Sequence, residues 1–130
     1  MTKIRALATD AVIVLGKEVV LLERAHSPFE GSWVLPGGFV EPDETAREAC
    51  VREVNEEVGL DVTVDELVGL YDDPGRDERG VVSAAYRCKP ISDKKPTPRV
   101  EARQVGTFDP DDLPEMGFDH EQIINDTPLY

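Results

Sequence analysis

Short apolar runs separated by turn-forming clusters dominate the chain, and one stretch changes period. Ile4 to Leu15 is rich in Ala, Val and Ile and reads as a strand. Gly16–Lys17 is a turn, and Glu18–Arg24, with Val19, Val20, Leu21 and Leu22 inside it, returns as a second strand of a hairpin. Ala25 to Gly38 holds Pro28, Gly31, Pro36, Gly37 and Gly38, so it reads as a loop with a short strand at Trp33–Leu35. Then Ala46, Cys50, Val54 and Val58 recur at every fourth position, which predicts a helix over 45–58 with that stripe buried and Ala49 beside it. Thr45 followed by Glu48 forms a capping-box start, and Gly59 is a left-handed stop. Val62–Tyr71 and Gly80–Cys88 read as strands around the polar loop Asp72–Arg79. Lys89–Val100, with Pro90, Pro96 and Pro98, is a second loop, and Ala102–Phe108 a last strand. A helical turn at Asp111–Leu113 and a short helix at Asp119–Asn125 close the chain. With no internal repeat or linker, several strands around one long helix predict an α/β layered sandwich with a mixed sheet, one domain over residues 1–130.

Composition narrows the partners. Net charge is −13, from 27 acids against 14 lysines and arginines. A nucleic acid polymer or an anionic membrane would be repelled by such a surface, and neither is expected as a partner. A small polyanion remains admissible if metal cations or a local arginine cluster offset the repulsion. The charge is concentrated: residues 41–57 hold seven acids and two bases, and residues 109–130 hold seven acids and no lysine or arginine. No signal-like apolar stretch follows Met1, and Cys50 and Cys88 lack metal-site spacing, so reduced core thiols in a cytoplasmic protein are expected.

The exposed face of the 45–58 helix works against its own stability. Glu53 and Glu57 lie four residues apart, where like charges cost about 0.2–0.5 kcal/mol. Glu56 and Glu57 also occupy the last turn, where the helix dipole disfavours anions. A solvated acidic face is one reading. A cradle for a hard cation such as Mg²⁺ or Mn²⁺ is the other, since local rules are broken mostly at functional sites. Gly37–Gly38, just ahead of the helix, is either a simple turn or a place where backbone N–H groups approach a phosphate.

The run Gly38–x5–Glu44–x7–Arg52–Glu53–Val54–x–Glu56–Glu57–x–Gly59–Leu60 resembles the Nudix box at all nine of its defined positions over 23 residues. Trp33–Val34–Leu35–Pro36–Gly37–Gly38 is similar to the usual approach to that box. The resemblance implies a Nudix-type α/β/α sandwich and a metal-dependent hydrolase of a nucleoside diphosphate linked to another moiety. It implies Glu53, Glu56 and Glu57 as metal ligands, with the Gly37 carbonyl as a further one, Glu53, Glu56 and Arg52 as the catalytic set, and Mg²⁺ as cofactor with Mn²⁺ as a substitute. Arg52 would orient a carboxylate or the loop, or merely pair with Glu48 or Glu56 along the helix. Glu44 is a supporting acid or a favourable charge near the helix start. The general base stays open between Glu101, Glu115, Asp119 and a box glutamate.

Substrate preference rests on Tyr71–Asp72–Asp73–Pro74–Gly75–Arg76–Asp77–Glu78–Arg79. Its Pro-x-Arg-Asp-x-Arg pattern resembles the short ADP-ribose diphosphatases, although Gly80–Val81 stands where some relatives place a histidine. That likeness implies hydrolysis of ADP-ribose to AMP and ribose 5-phosphate, with Gly38, Arg76 and Arg79 on the substrate and a homodimer left open. The plain alternative is that the arginines pair with Asp72, Asp73 and Asp77 of their own loop. Other readings are an oxidised nucleoside triphosphate or a dinucleoside polyphosphate as substrate, or a nucleotide-sensing module without catalysis. Trp33, Phe29 and Tyr71 are candidates to stack on adenine or to pack the core. Phe118–Asp119–His120 resembles a tail sequence of the family that caps the last helix. Only five lysines and the acidic tail point to a salt-adapted protein.

Overall fold

The computed structural model describes residues 3–99 and 101–129. Among the described residues, seven strands and two helices follow in the order β1 (Leu7–Leu15), β2 (Glu18–Arg24), β3 (Trp33–Val34), β4 (Gly37–Phe39), α1 (Ala46–Val58), β5 (Val62–Tyr71), β6 (Val82–Pro90), β7 (Ala102–Phe108) and α2 (His120–Asp126). The central path of the sheet runs β3-β2-β1-β6-β5, with β4 on β1 and β7 on β2. β1 and β6 are parallel and the other pairs antiparallel, so the sheet is mixed, as expected.

Alternation along β1 and β6 sorts side chains to the two faces. Ala11, Ile13, Ala84, Tyr86 and Cys88 meet Cys50, Val54 and Val58 of α1 on one side. Val12 and Ala85 meet Ile123 and Ile124 of α2 on the other. The result is the α/β/α sandwich anticipated from the sequence. Cys50 and Cys88 are free, buried thiols with their sulfurs 3.7 Å apart. Among the described residues, no helix is long and apolar enough to cross a membrane.

α1 begins and ends where its sequence signals lie. Thr45 accepts from the Glu48 N–H, Glu48 reaches back to the Thr45 N–H, and Gly59 closes the helix at φ 71°. Three expectations are corrected. Gly37 and Gly38, read as the end of the loop, form a short strand with Phe39 because the free edge of β1 at Ala8–Asp10 pairs with it. The Asp111 region is a turn rather than helical, with the Asp109 carboxylate accepting from the Asp111 N–H at 2.8 Å. Asp119 stands at the N-cap of α2 but makes no side-chain cap bond, because its carboxylate is held elsewhere.

Most tail acids are exposed, Asp109, Asp111, Asp112, Glu115, Glu121 and Asp126 among them. Molar KCl screens their mutual repulsion. The melting temperature is expected to rise between low salt and about 2 M KCl; a melting temperature that stays flat or falls over that range would remove the case for salt adaptation.

Candidate active site

A cleft opens where β1 and β2 part. The hairpin pairs Val14 with Val19 and Leu15 with Glu18, but upstream the β1 edge takes Gly37–Phe39 instead. This places Leu35–Gly38, a turn at Leu35–Pro36 running into the start of β4, between β1 and α1, with no room for a side chain at Gly37 or Gly38. A Cβ added at Gly37 would overlap the Thr9 carbonyl, and one at Gly38 the Glu53 carboxylate. Glycine is required here for close approach rather than for a positive φ.

Two box glutamates face this turn. Glu57 Oε1 accepts the Gly37 N–H at 2.7 Å. Burial, with Glu53, Asp10 and Glu101 nearby, pushes the Glu57 carboxyl up to about 8 against the opposing Gly37 bond. Burial also raises Glu53, although Arg52 Nη1 donates to it at 2.8 Å. Glu56 is more exposed and accepts from the same Arg52 nitrogen at 3.2 Å.

Arg52 is the centre of the acidic face. Its Nε and Nη2 donate to both Glu44 oxygens, at 3.1 and 2.6 Å, and Nη2 also reaches the Phe39 carbonyl at 3.1 Å. The Glu44 bonds are the largest reason its cation is strengthened, and they hold Glu44 below the usual carboxylate range. Glu44 therefore anchors Arg52. Of the two plain helix partners expected for Arg52, Glu56 is used and Glu48 is taken by the cap.

No group of three or more His, Cys, Asp or Glu side chains stands ready-made for a metal among the described residues. The donor set nevertheless fits one. Glu53 and Glu57 are partly buried oxygen donors whose charged forms lack sufficient compensation, and a hard divalent cation supplies it. Glu56, the third box glutamate, is held by Arg52.

The polar loop divides its arginines. Arg76, with 5% of its side chain exposed, grips Asp119 through Nε at 2.8 Å and Nη2 at 2.7 Å, while Nη1 donates to the Val81 carbonyl at 3.0 Å. Burial would raise Asp119, but this pair keeps it low. Arg79 follows the plain expectation and pairs with Asp77 of its own loop, at 3.1 and 2.9 Å. Its guanidinium also stands 5.7 Å from the ring centres of both Phe39 and Phe118.

Replacing Arg76 with Ala strands a partly buried carboxylate, so unfolding by urea should show a loss of about 3 kcal/mol. The double variant with Asp119→Ala should lose clearly less than the sum of the singles. Additive losses would mean that the pair is not the strut.

The cleft, about 280 Å³, is lined by Arg24, Gly38, Phe39, Glu53, Glu57, Arg79, Glu101 and the floor residues Asp10, Ser83 and His120. Of the three outside candidates for a base, Glu101 faces this space, at φ 68°. Asp119 has both oxygens on Arg76, and exposed Glu115 is not among the lining residues. Trp33 packs against Phe108 at 4.9 Å and the Tyr71 hydroxyl donates to Asp126 at 2.7 Å, so both serve packing. Phe29 backs Phe118 at 4.6 Å. Sequence reasoning missed Asp10, Arg24, Phe39 and His120. Only the tail triplet signalled one of them.

A family model described as the NUDIX domain matches residues 5–127. The chain belongs to the Nudix family. Its box thus lies where the geometry concentrates acids, glycines and Arg52, and the chain is a Nudix hydrolase. A curated relative named ADP-ribose pyrophosphatase, from Methanocaldococcus jannaschii, is 40% identical over 121 residues, 93% of this chain and 72% of the relative. Among solved structures, the Nudix domain of Shewanella oneidensis NrtR complexed with ADP ribose superposes with a TM-score of 0.83 at 27% identity, covering 96% of this chain and 87% of that one. A Francisella tularensis bifunctional NMN adenylyltransferase/ADP ribose pyrophosphatase, complexed with AMP and a manganese ion, gives 0.82 at 26% identity over 95% of this Nudix chain and 41% of that one.

Proposed function

We propose that the protein hydrolyses the diphosphate bond of a nucleoside diphosphate derivative in a Mg²⁺-dependent reaction, with ADP-ribose as substrate and AMP and ribose 5-phosphate as products. The observation that carries this reading is the pair Glu53 and Glu57, held against Gly37 and Gly38 at the start of β4 with their carboxyls raised by burial. The relatives named for ADP-ribose support the substrate.

Glu53, Glu56 and Glu57 would hold the metal, with the Gly37 carbonyl as a further oxygen; Mn²⁺ would substitute for Mg²⁺. When bound, the ion neutralises diphosphate oxygens and lowers the pKa of attacking water. The chain's own groups do the rest. Arg52 keeps Glu53 turned toward the Gly38 side of the cleft. Glu101, facing the cleft, accepts the water proton as the water oxygen bonds to phosphorus and the bridging P–O bond breaks. Gly38 lets the substrate approach the backbone. Arg79, with 42% of its side chain exposed, would leave Asp77 for the leaving phosphate, while Arg76 supports the cleft wall through Asp119. Phe39 and Phe118 offer faces for the base. We place the whole chain, residues 1–130, in one catalytic domain acting in the cytoplasm.

Incubation with Mg²⁺ and a panel of ADP-ribose, dinucleoside polyphosphates and oxidised nucleoside triphosphates tests this directly. ADP-ribose should give the highest kcat/KM, with AMP and ribose 5-phosphate as products by mass spectrometry. A higher value on another panel member would move the substrate. Tight ADP-ribose binding without turnover would favour a sensor.

A further inference from the structure

His120 takes no part in the proposed hydrolysis, yet it links α2 to the turn beside Glu57. Its ring is buried, with 5% of the side chain exposed. Nδ1 accepts the Leu35 N–H at 2.9 Å, a contact across 85 positions. Because Nδ1 accepts, the neutral ring carries its proton on Nε2, which points to Asp10 Oδ1 at 3.4 Å. Asp10 is in turn held by the Ser83 hydroxyl through Oδ2. Phe118 stacks over the ring at 5.2 Å, and Asp119, the residue between them, is locked to Arg76.

Leu35 opens the turn that reaches Glu57. The next residue, Pro36, accepts from the Ala11 N–H at 2.8 Å, and the one after it, Gly37, donates to Glu57 Oε1 at 2.7 Å. Gly37 is wedged against the Thr9 carbonyl, and Gly38 against the Glu53 carboxylate. A turn this confined transmits a shift at Leu35 to both glutamates, because neither glycine has space to absorb it. The Leu35 N–H has no other partner in the described residues, so losing Nδ1 leaves a buried donor that the turn must move to satisfy.

We infer that His120 is a positioning residue: through Nδ1 and the Leu35 N–H it fixes the Leu35–Gly38 turn, and through the turn it sets the carboxylates of Glu57 and Glu53 for a divalent cation. This rests on the metal role proposed for those glutamates. It also assigns the tail triplet a task other than helix capping, with Asp119 and His120 fastening two loops to the start of α2.

Two amide substitutions separate the pin from mere packing. His120→Asn can place its side-chain oxygen where Nδ1 stands, whereas His120→Gln reaches instead toward the Nε2 position. Amide hydrogen exchange at Leu35 reads the pin, and Mn²⁺ binding followed by electron paramagnetic resonance reads its consequence without turnover. In wild type and His120→Asn the Leu35 amide should stay protected. In His120→Gln it should exchange at least about tenfold faster, and Mn²⁺ affinity should fall about tenfold, the lower end of what partners of metal ligands contribute. In His120→Asn the affinity should remain within about threefold of wild type. Unchanged Mn²⁺ affinity in a folded His120→Gln, or an equal loss in both variants, overturns the inference. A wild type that binds no Mn²⁺ at all is a different result: it fails the metal reading itself, while Leu35 exchange still reports whether the pin exists.

Discussion

Glu57→Gln is expected to lower Mg²⁺-dependent hydrolysis by on the order of a thousandfold and, without metal, to raise the melting temperature at alkaline pH. The two effects have one cause. Glu57 is a carboxylate kept in partial burial beside Glu53, Asp10 and Glu101, and its folded-state pKa is about 8. The unfolded chain returns it to roughly 4.3. Between those values the folded state binds more protons than the unfolded state, so this group's effect on stability worsens as pH rises and is constant above about 8. Gln removes the charge but keeps an oxygen to accept the Gly37 N–H. The stabilisation by Glu57→Gln should therefore be largest above pH 8, shrink through pH 6 and vanish near pH 4, bracketing the folded value of about 8 and the unfolded value of roughly 4.3. Mg²⁺ should raise the wild-type melting temperature more at the alkaline end than at the acidic end, and the variant's hardly at all. Thermal scans across this range check the signs. A variant less stable than wild type at alkaline pH would mean that Glu57 is compensated within the protein.

Gly37→Ala carries the largest stability effect expected of a single methyl. Its Cβ would overlap the Thr9 carbonyl, which belongs to a strand paired on both edges and so has nowhere to retreat. Overpacking against backbone costs about 1–3 kcal/mol where side chains can yield, and more here. Gly38→Ala is the informative contrast. Its clash is with the Glu53 carboxylate, the far end of a side chain that can turn away. Urea denaturation should show Gly37→Ala losing more than about 3 kcal/mol and Gly38→Ala much less. Activity should collapse in both, because Gly38→Ala displaces Glu53 without unfolding the sheet. Equal stability losses would show that the turn is not wedged against β1.

The half of the site that lies on α1 was legible in the sequence because its signals are local. Spacing of four put Glu53 and Glu57 on one face, Thr45 and Gly59 marked the ends, and the stripe from Ala46 to Val58 told which face is buried. The other half assembles from contacts that leave no period. Arg76 meets Asp119 across 43 positions and Leu35 meets His120 across 85, and Asp10 sits in a strand otherwise read only as apolar. The Gly37–Phe39 strand was hidden for a related reason. Its glycines signal a turn, and only the unpaired edge of β1 draws them into a ladder. The acidity of residues 41–57 acquires a physical role in this arrangement, since Arg52 is anchored on Glu44 and bridges Glu53 and Glu56, while burial still leaves Glu53 and Glu57 with raised carboxyls that a cation would offset.

Phosphorus NMR of ADP-ribose with chelator-treated protein, before and after Mg²⁺ is added, tests metal-dependent hydrolysis in one tube. The diphosphate resonances should persist in chelator. After Mg²⁺ addition they should be replaced by two phosphomonoester signals, those of AMP and ribose 5-phosphate, at a rate that Glu57→Gln reduces about a thousandfold. Diphosphate resonances that remain after Mg²⁺, or that disappear equally fast in chelator or with Glu57→Gln, would contradict a metal-dependent diphosphatase built on the box glutamates.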